Sequence, residues 1–126
     1  MERQIITTAN APAPIGPYNQ AVKAGNLLFV SGQIALDPAT GELHTGDTVT
    51  ETKQVMKNIT AILKEAGADL GNIVKTTIFL SDMSLFAEVN EVYGSFFSKD
   101  FPARETIAVK GLPKNVNVEI SVTAVL

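Results

Sequence analysis

Hydrophobic and polar positions follow two periods along this chain, and the switches between them predict its elements. Near the C-terminus Val116, Val118, Ile120, Val122 and Ala124 fall on one side of an extended stretch, with Asn117, Glu119, Ser121 and Thr123 on the other. That is the period of a half-buried strand. Ile5-Ile6 opens a short strand, and Ala21-Val22-Lys23-Ala24, Gly25-Asn26 and Leu27-Leu28-Phe29-Val30-Ser31 read as a hairpin with a two-residue turn. From Thr48 to Ala66 the period changes: Val55, Met56, Ile59, Ile62, Leu63 and Ala66 recur at three- and four-residue spacing, with Gly67 as a C-cap. This is an amphipathic helix, opened by Thr48 or Thr50, the former with Glu51 three residues on in capping-box position. Ile73 to Leu80 is β-branched and aromatic, a strand. Leu85, Phe86, Val89, Val92, Tyr93, Phe96 and Phe97 build a second helix, and Phe101 to Val109 returns to strand. Gly111-Leu112-Pro113-Lys114-Asn115 carries turn residues into the final strand, which predicts an antiparallel pair placing Arg104 near Glu119.

The order strand, hairpin, helix, strand, helix, strand, strand predicts an α+β layer with two helices on one face of a mostly β sheet. At 126 residues and 45% hydrophobic content, one domain over residues 1–126 accounts for the chain. The polar side of the last strand carries short side chains rather than long charges, a surface suited to a partner subunit or a lined cleft.

Composition narrows the chemistry. Ten basic against 13 acidic residues give a net charge of −3, with no basic run, which argues against a phosphate-tracking surface and hence against nucleic acid as partner. Zero cysteines exclude a disulfide framework, a thiolate nucleophile and Cys-ligated metal. The single histidine, His44, lies in a polar loop without clustered carboxylates, so no metal site is expected. No stretch approaches the roughly 20 apolar residues of a membrane span, and the N-terminus lacks a signal-peptide core. A cytoplasmic protein without membrane contact is the expectation.

Arg104 and Glu119 carry the candidate chemistry. A guanidinium captures a carboxylate through a planar fork, and a nearby glutamate orients a water or takes its proton. A plain cross-strand salt bridge is the competing explanation of the same pair. Tyr18 follows Pro12, Pro14, Gly16 and Pro17, a loop stiffened by restricted backbone, where it walls a pocket or is simply half-buried. In Ser31-Gly32-Gln33 the glycine permits a close approach. Asn90, beside Val89, reads from pattern alone as a solvent-facing helix residue.

Ile15-Gly16-Pro17-Tyr18, Val30-Ser31-Gly32-Gln33-Ile34, Asp37-Pro38-Ala39-Thr40-Gly41-Glu42, Val74 to Leu80, Phe86 to Tyr93, Pro102-Ala103-Arg104, Leu112-Pro113-Lys114 and Val118-Glu119-Ile120 together resemble the RidA family (YjgF/YER057c/UK114) over essentially the whole chain. The resemblance implies a chorismate-mutase-like α+β subunit in a homotrimer, its sheets forming an inner barrel with sites in the intersubunit clefts. The implied activity is hydrolysis of reactive 2-imino or enamine acids such as 2-aminoacrylate, 2-iminobutanoate and 2-iminopropanoate to 2-keto acids and ammonia, with no cofactor and no metal. Residue by residue, Arg104 matches the arginine that holds the substrate carboxylate, and Glu119 the glutamate that positions water. Tyr18, Ser31, Gly32 and Asn90 match pocket positions. Thr106 stands where the family often has cysteine, a position thought to act largely through its backbone. The link after Phe97 is shorter than in many relatives, and Ser121 replaces a common second glutamate; both changes bear on substrate preference. A non-catalytic protein of the same fold that binds small carboxylates such as 2-keto acids, or regulates a partner, is the alternative function.

Overall fold

The strand with the strictest alternation became the middle of the sheet. In the computed structural model, which describes residues 2–126, Val118–Val125 lies hydrogen-bonded on both edges, its side chains alternating buried and half-buried without exception. In chain order the elements are β1 (Arg3–Ile6), β2 (Ala21–Ala24), β3 (Leu27–Gln33), α1 (Thr48–Glu65), β4 (Ile73–Leu80), α2 (Phe86–Gly94), β5 (Ala103–Ala108) and β6 (Val118–Val125). They form one six-stranded sheet in the order β1-β2-β3-β6-β4-β5. Neighbours run antiparallel except β4 and β5, which are parallel and joined by a crossover holding α2. The expected α+β layer is therefore present, as is the β2–β3 hairpin, with Gly25 at φ 62 in its turn.

The core lies between the sheet and the helices. Val55, Met56, Ile59, Ile62 and Leu63 of α1 are fully buried against Leu28, Ile78, Leu80, Val118 and Ile120. Burying side chains of this kind contributes about 1.5–3 kcal/mol each.

Three expectations are corrected. β5 does not pair with β6, because β3 and β4 already occupy both edges of β6; the free edge of β4 takes β5 instead. Asp47, not Thr48 or Thr50, caps α1: its carboxylate accepts the Thr50 N–H at 2.8 Å and the Thr50 hydroxyl at 2.9 Å. Those bonds hold the Asp47 carboxyl below its ordinary value. Glu51 consequently serves no capping box and points into the protein. The second helix is also shorter than its apolar pattern, since Met83–Leu85 forms a separate 3₁₀ turn capped by Asp82, and the helix ends at Gly94. Gly67 is as expected, at φ 78, with Ala68 N–H bonded back to Leu63 O at 2.8 Å.

Candidate functional site

Glu119 stands on the half-buried side of β6 and faces a cavity of about 480 Å³ that Tyr18, Ser31, Gly32, Pro113 and Lys114 also line. Gly32 is where β3 admits the glutamate. A methyl group built there would sit 2.9 Å from the Glu119 carboxyl carbon and overlap its oxygen, so any larger residue must displace the carboxylate. Removal from water raises the Glu119 carboxyl above its ordinary value of 4.5.

The rest of this wall is held from behind. Gln20, 2% exposed, uses its side-chain amide to take the Thr8 N–H (2.7 Å) and to reach the Thr8, Ala11 and Pro12 carbonyls at 3.0, 3.2 and 2.9 Å. This clamp fixes the proline loop. Tyr18 follows a tight turn at Gly16 (φ 120), with its own N–H on Gly16 O (2.9 Å) and its hydroxyl accepting the Ile15 N–H at 3.3 Å, so the phenolic proton is left for a ligand. The Ser31 hydroxyl is committed to Asn19 O at 2.6 Å, which makes it an acceptor towards anything in the cavity.

The entry to β6 is anchored by Glu51. Although fully buried, its carboxylate accepts from Asn117 N (2.7 Å), Asn117 Nδ2 (2.9 Å) and Val118 N (2.9 Å). These bonds offset its desolvation. Just upstream, Pro113–Asn115 forms a 3₁₀ turn in which Lys114 (φ 55, ψ 23) and Asn115 (φ 56) both take left-handed backbone. For a lysine that conformation costs about 1–2 kcal/mol.

Arg104 belongs to a different cavity, of about 410 Å³, shared with Asn90, Tyr93, Phe101 and Pro102. Its Nη1 donates to Asn90 Oδ1, so Asn90 is no idle solvent-facing residue. The guanidinium carbon lies 5.6 Å from the ring centres of both Phe86 and Tyr93, within cation–π range. Tyr93 is buried, and that burial pushes its hydroxyl up, leaving it a neutral donor to Thr76 Oγ1 at 2.9 Å. Phe101 continues the wall by packing on Phe97, ring centres 6.2 Å apart. Thr106 Oγ1 is buried, with no partner among the described residues.

The two walls cannot meet within one chain. Arg104 is in register with Thr76, which pairs with Val122, and both are buried beneath the helices. Glu119 is in register with Phe79, three positions along β4 and therefore on the opposite face. Two strand spacings and three residues separate the Cα atoms by roughly 14 Å. The predicted intrachain pair, as salt bridge or as site, is thus corrected: β5 joined the far edge of β4, and its parity put Arg104 on the helix side. Glu105, next along β5, faces the other way. It accepts the Thr77 hydroxyl at 2.6 Å and pairs with Lys75 at 3.3 Å, and these bonds hold its carboxyl below the ordinary value. His44 lies 3.2 Å from Asp37 Oδ2, and no group of metal-ligating side chains occurs among the described residues. A further cavity of about 740 Å³, beside Lys53, Lys57 and Lys64 of α1, holds none of the expected site residues.

Gln20, Glu51, Phe86 and Tyr93 escaped sequence reasoning as site supports. Each acts through partners distant in sequence, which local pattern does not reveal.

The model for the family described as Endoribonuclease L-PSP matches residues 8–126. Mouse 2-iminobutanoate/2-iminopropanoate deaminase is 48% identical over 98% of this chain and 91% of its own. A RutC family protein of Pyrococcus horikoshii is 51% identical over 97% of each chain. Among solved structures, the YjgF gene product of E. coli superposes with a TM-score of 0.93 at 46% identity, covering 97% of this chain and 98% of that one. The chain belongs to the Endoribonuclease L-PSP family, also called the RidA/YjgF/RutC family.

Proposed function

We propose that this protein hydrolyses 2-imino acids, including 2-iminobutanoate, 2-iminopropanoate and 2-aminoacrylate, to 2-keto acids and ammonia, in clefts between copies of the chain. The observation that carries the reading is the split site. A carboxylate-binding arginine and a desolvated glutamate lie on opposite faces of one sheet, in two open cavities, and a second copy docking β5 against the Glu119 wall completes one site from two halves. Leu27, Phe29 and Ile107 are exposed apolar residues on the face that carries Glu119, consistent with a sheet covered by further copies in a homotrimer. The name of the mouse relative supports the substrate class.

In this reading Arg104 holds the substrate carboxylate, and Asn90 with the Phe86 and Tyr93 rings holds Arg104. Glu119 of the partner subunit takes a proton from water as the water oxygen bonds to the imine carbon and the C=N electron pair moves to nitrogen. Returning that proton to nitrogen gives a carbinolamine; Glu119 then takes the proton of its new hydroxyl and passes it to nitrogen, so that the C–N bond breaks with ammonia leaving as the keto C=O forms. A carboxyl lifted by burial suits both directions of transfer. The imine carbon is already electrophilic, so positioning supplies much of the acceleration. Tyr18 offers a donor to the developing oxygen. No step needs a metal or an organic cofactor.

Subunit mixing tests the split site. Arg104→Ala and Glu119→Ala proteins, each inactive alone, are unfolded together, refolded and assayed on 2-iminobutanoate generated in situ. Random assembly restores about one quarter of the sites, because each needs one residue from each neighbour. Mixed oligomers with no recovered turnover would refute a shared site.

A further inference from the structure

We propose that Lys114 is the second cation of the cleft, drawing the anionic substrate to the Glu119 wall and offsetting the carboxylate that faces it there. This rests on the reading of that cavity as a site for 2-imino acids.

The charge pattern raises the question. A 2-imino acid is an anion, the chain is net −3, and the cavity holding Glu119 presents that carboxylate to it. A carboxylate needed for proton transfer therefore works against binding. Arg104, on the other wall, anchors one end of the ligand, and the Glu119 wall needs a cation of its own at the other. Of the residues lining the Glu119 cavity, Lys114 is the cation. It belongs to neither ion pair among the described residues, Asp37 with His44 and Lys75 with Glu105, so its charge is free to act on a ligand.

The backbone gives a second, independent observation. Lys114 sits at φ 55, ψ 23, and Asn115 follows at φ 56. Asparagine enters the left-handed region with little difficulty and glycine with none, whereas lysine resists it. Local conformation alone would favour Gly or Asn at 114, and a strained residue on a cavity wall is the pattern of a site held by its surroundings. Those surroundings are present: Asn115 N–H reaches Leu112 O at 3.1 Å, Val116 N–H reaches Pro113 O at 3.3 Å, and buried Glu51 pins Asn117 and Val118 just beyond. The turn carries its middle residue's side chain to the wall of the cleft, and the four-carbon stem lets the ammonium follow an arriving anion.

The test compares Lys114→Gln, Lys114→Gly and Lys114→Arg with wild type, measuring the Kd of 2-oxobutanoate by calorimetry, the kinetics of 2-iminobutanoate hydrolysis and the melting midpoint, at low and high NaCl. Gln and Gly should raise Kd and KM by about five- to tenfold at low salt, with the loss falling on KM rather than kcat. At about 0.5 M NaCl the gap should close to about twofold, because screening removes a charge effect and leaves a packing effect. Arg should restore binding. Gly should melt no lower than wild type, since it relieves the left-handed backbone. Unchanged Kd in Lys114→Gln at low salt, a salt-independent loss, or a fall in midpoint for Lys114→Gly would overturn the proposal. Wild type that binds 2-oxobutanoate but hydrolyses no imine breaks the deaminase reading alone, and Lys114 is then judged on Kd. Wild type that binds no 2-oxobutanoate overturns both.

Discussion

The Glu119 wall and the Arg104 wall are built on opposite terms. Glu119 stands on a central strand, its cavity backed by the Gln20 clamp, the proline loop and the buried Glu51 anchor. Arg104 stands on an edge strand, exposed, and its neighbours are side chains of a nine-residue helix. The difference matches what each group does in the proposed reaction. A glutamate that exchanges protons benefits from a rigid, partly dry setting that lifts its pKa, whereas a guanidinium stays charged in any setting and needs only aim and access. The same contrast separates catalysis from capture in the proposed reaction.

Substitutions can break that contrast. The largest expected effect is on the exposed wall: Arg104→Ala should lower kcat/KM for 2-iminobutanoate by about 10³-fold and abolish 2-oxobutanoate binding, with the far-ultraviolet circular dichroism spectrum unchanged. Glu119→Gln should lose about 10²-fold in turnover yet keep keto-acid binding. Equal losses of binding in both variants would erase the division of labour. The pH dependence follows from the same group. Its raised folded pKa means that its stabilising contribution is present below the unfolded value and lost as pH rises through the folded one, so at pH 7 the ionised carboxylate is a cost. Glu119→Gln should therefore melt no lower than wild type at pH 7. Activity needing the carboxylate should fall on the acid side above pH 4.5, the ordinary glutamate value.

Next in size is the anchor. Glu51→Ala leaves three donors unsatisfied at the entry to β6 and should cost about 3 kcal/mol of stability in urea titrations, hurting the Glu119 wall first. A loss under about 0.5 kcal/mol would mean that water replaces the carboxylate. Gly32→Ala should be smaller, about tenfold in kcat, because the added methyl displaces the Glu119 carboxylate without touching Arg104. An unaffected kcat would show that the glutamate has room to adjust. Smallest is Asn90→Ala, about threefold in KM, since the two rings still hold the guanidinium when its hydrogen bond is gone. A loss approaching that of Arg104→Ala would instead make the amide the main support.

Local pattern carried the elements of this protein. The alternation of Val118–Val125, the three-and-four spacing of α1 and the stop at Gly67 all depend on neighbours a few residues away, and the structure keeps them. Family motifs also marked Tyr18, Ser31, Gly32, Asn90, Arg104, Thr106 and Glu119, and six of the seven line one of the two cavities, with Asn90 and Arg104 already in contact; Gly32 lies against Glu119 for a reason visible only in three dimensions, the overlap a methyl group would cause. Strand order was not legible in this way. A turn between Arg104 and Glu119 suggested a hairpin, but pairing is decided by which edges are free once all strands compete, and β6 had none left. Parity along β4 then placed Arg104 and Glu119 on opposite faces, and burial chose Glu51 for the interior although its spacing suited a cap. Periodicity is a property of one segment, readable in isolation; register, sheet edges and desolvation belong to the assembled molecule, and they decided that Arg104 and Glu119 face different cavities of one chain.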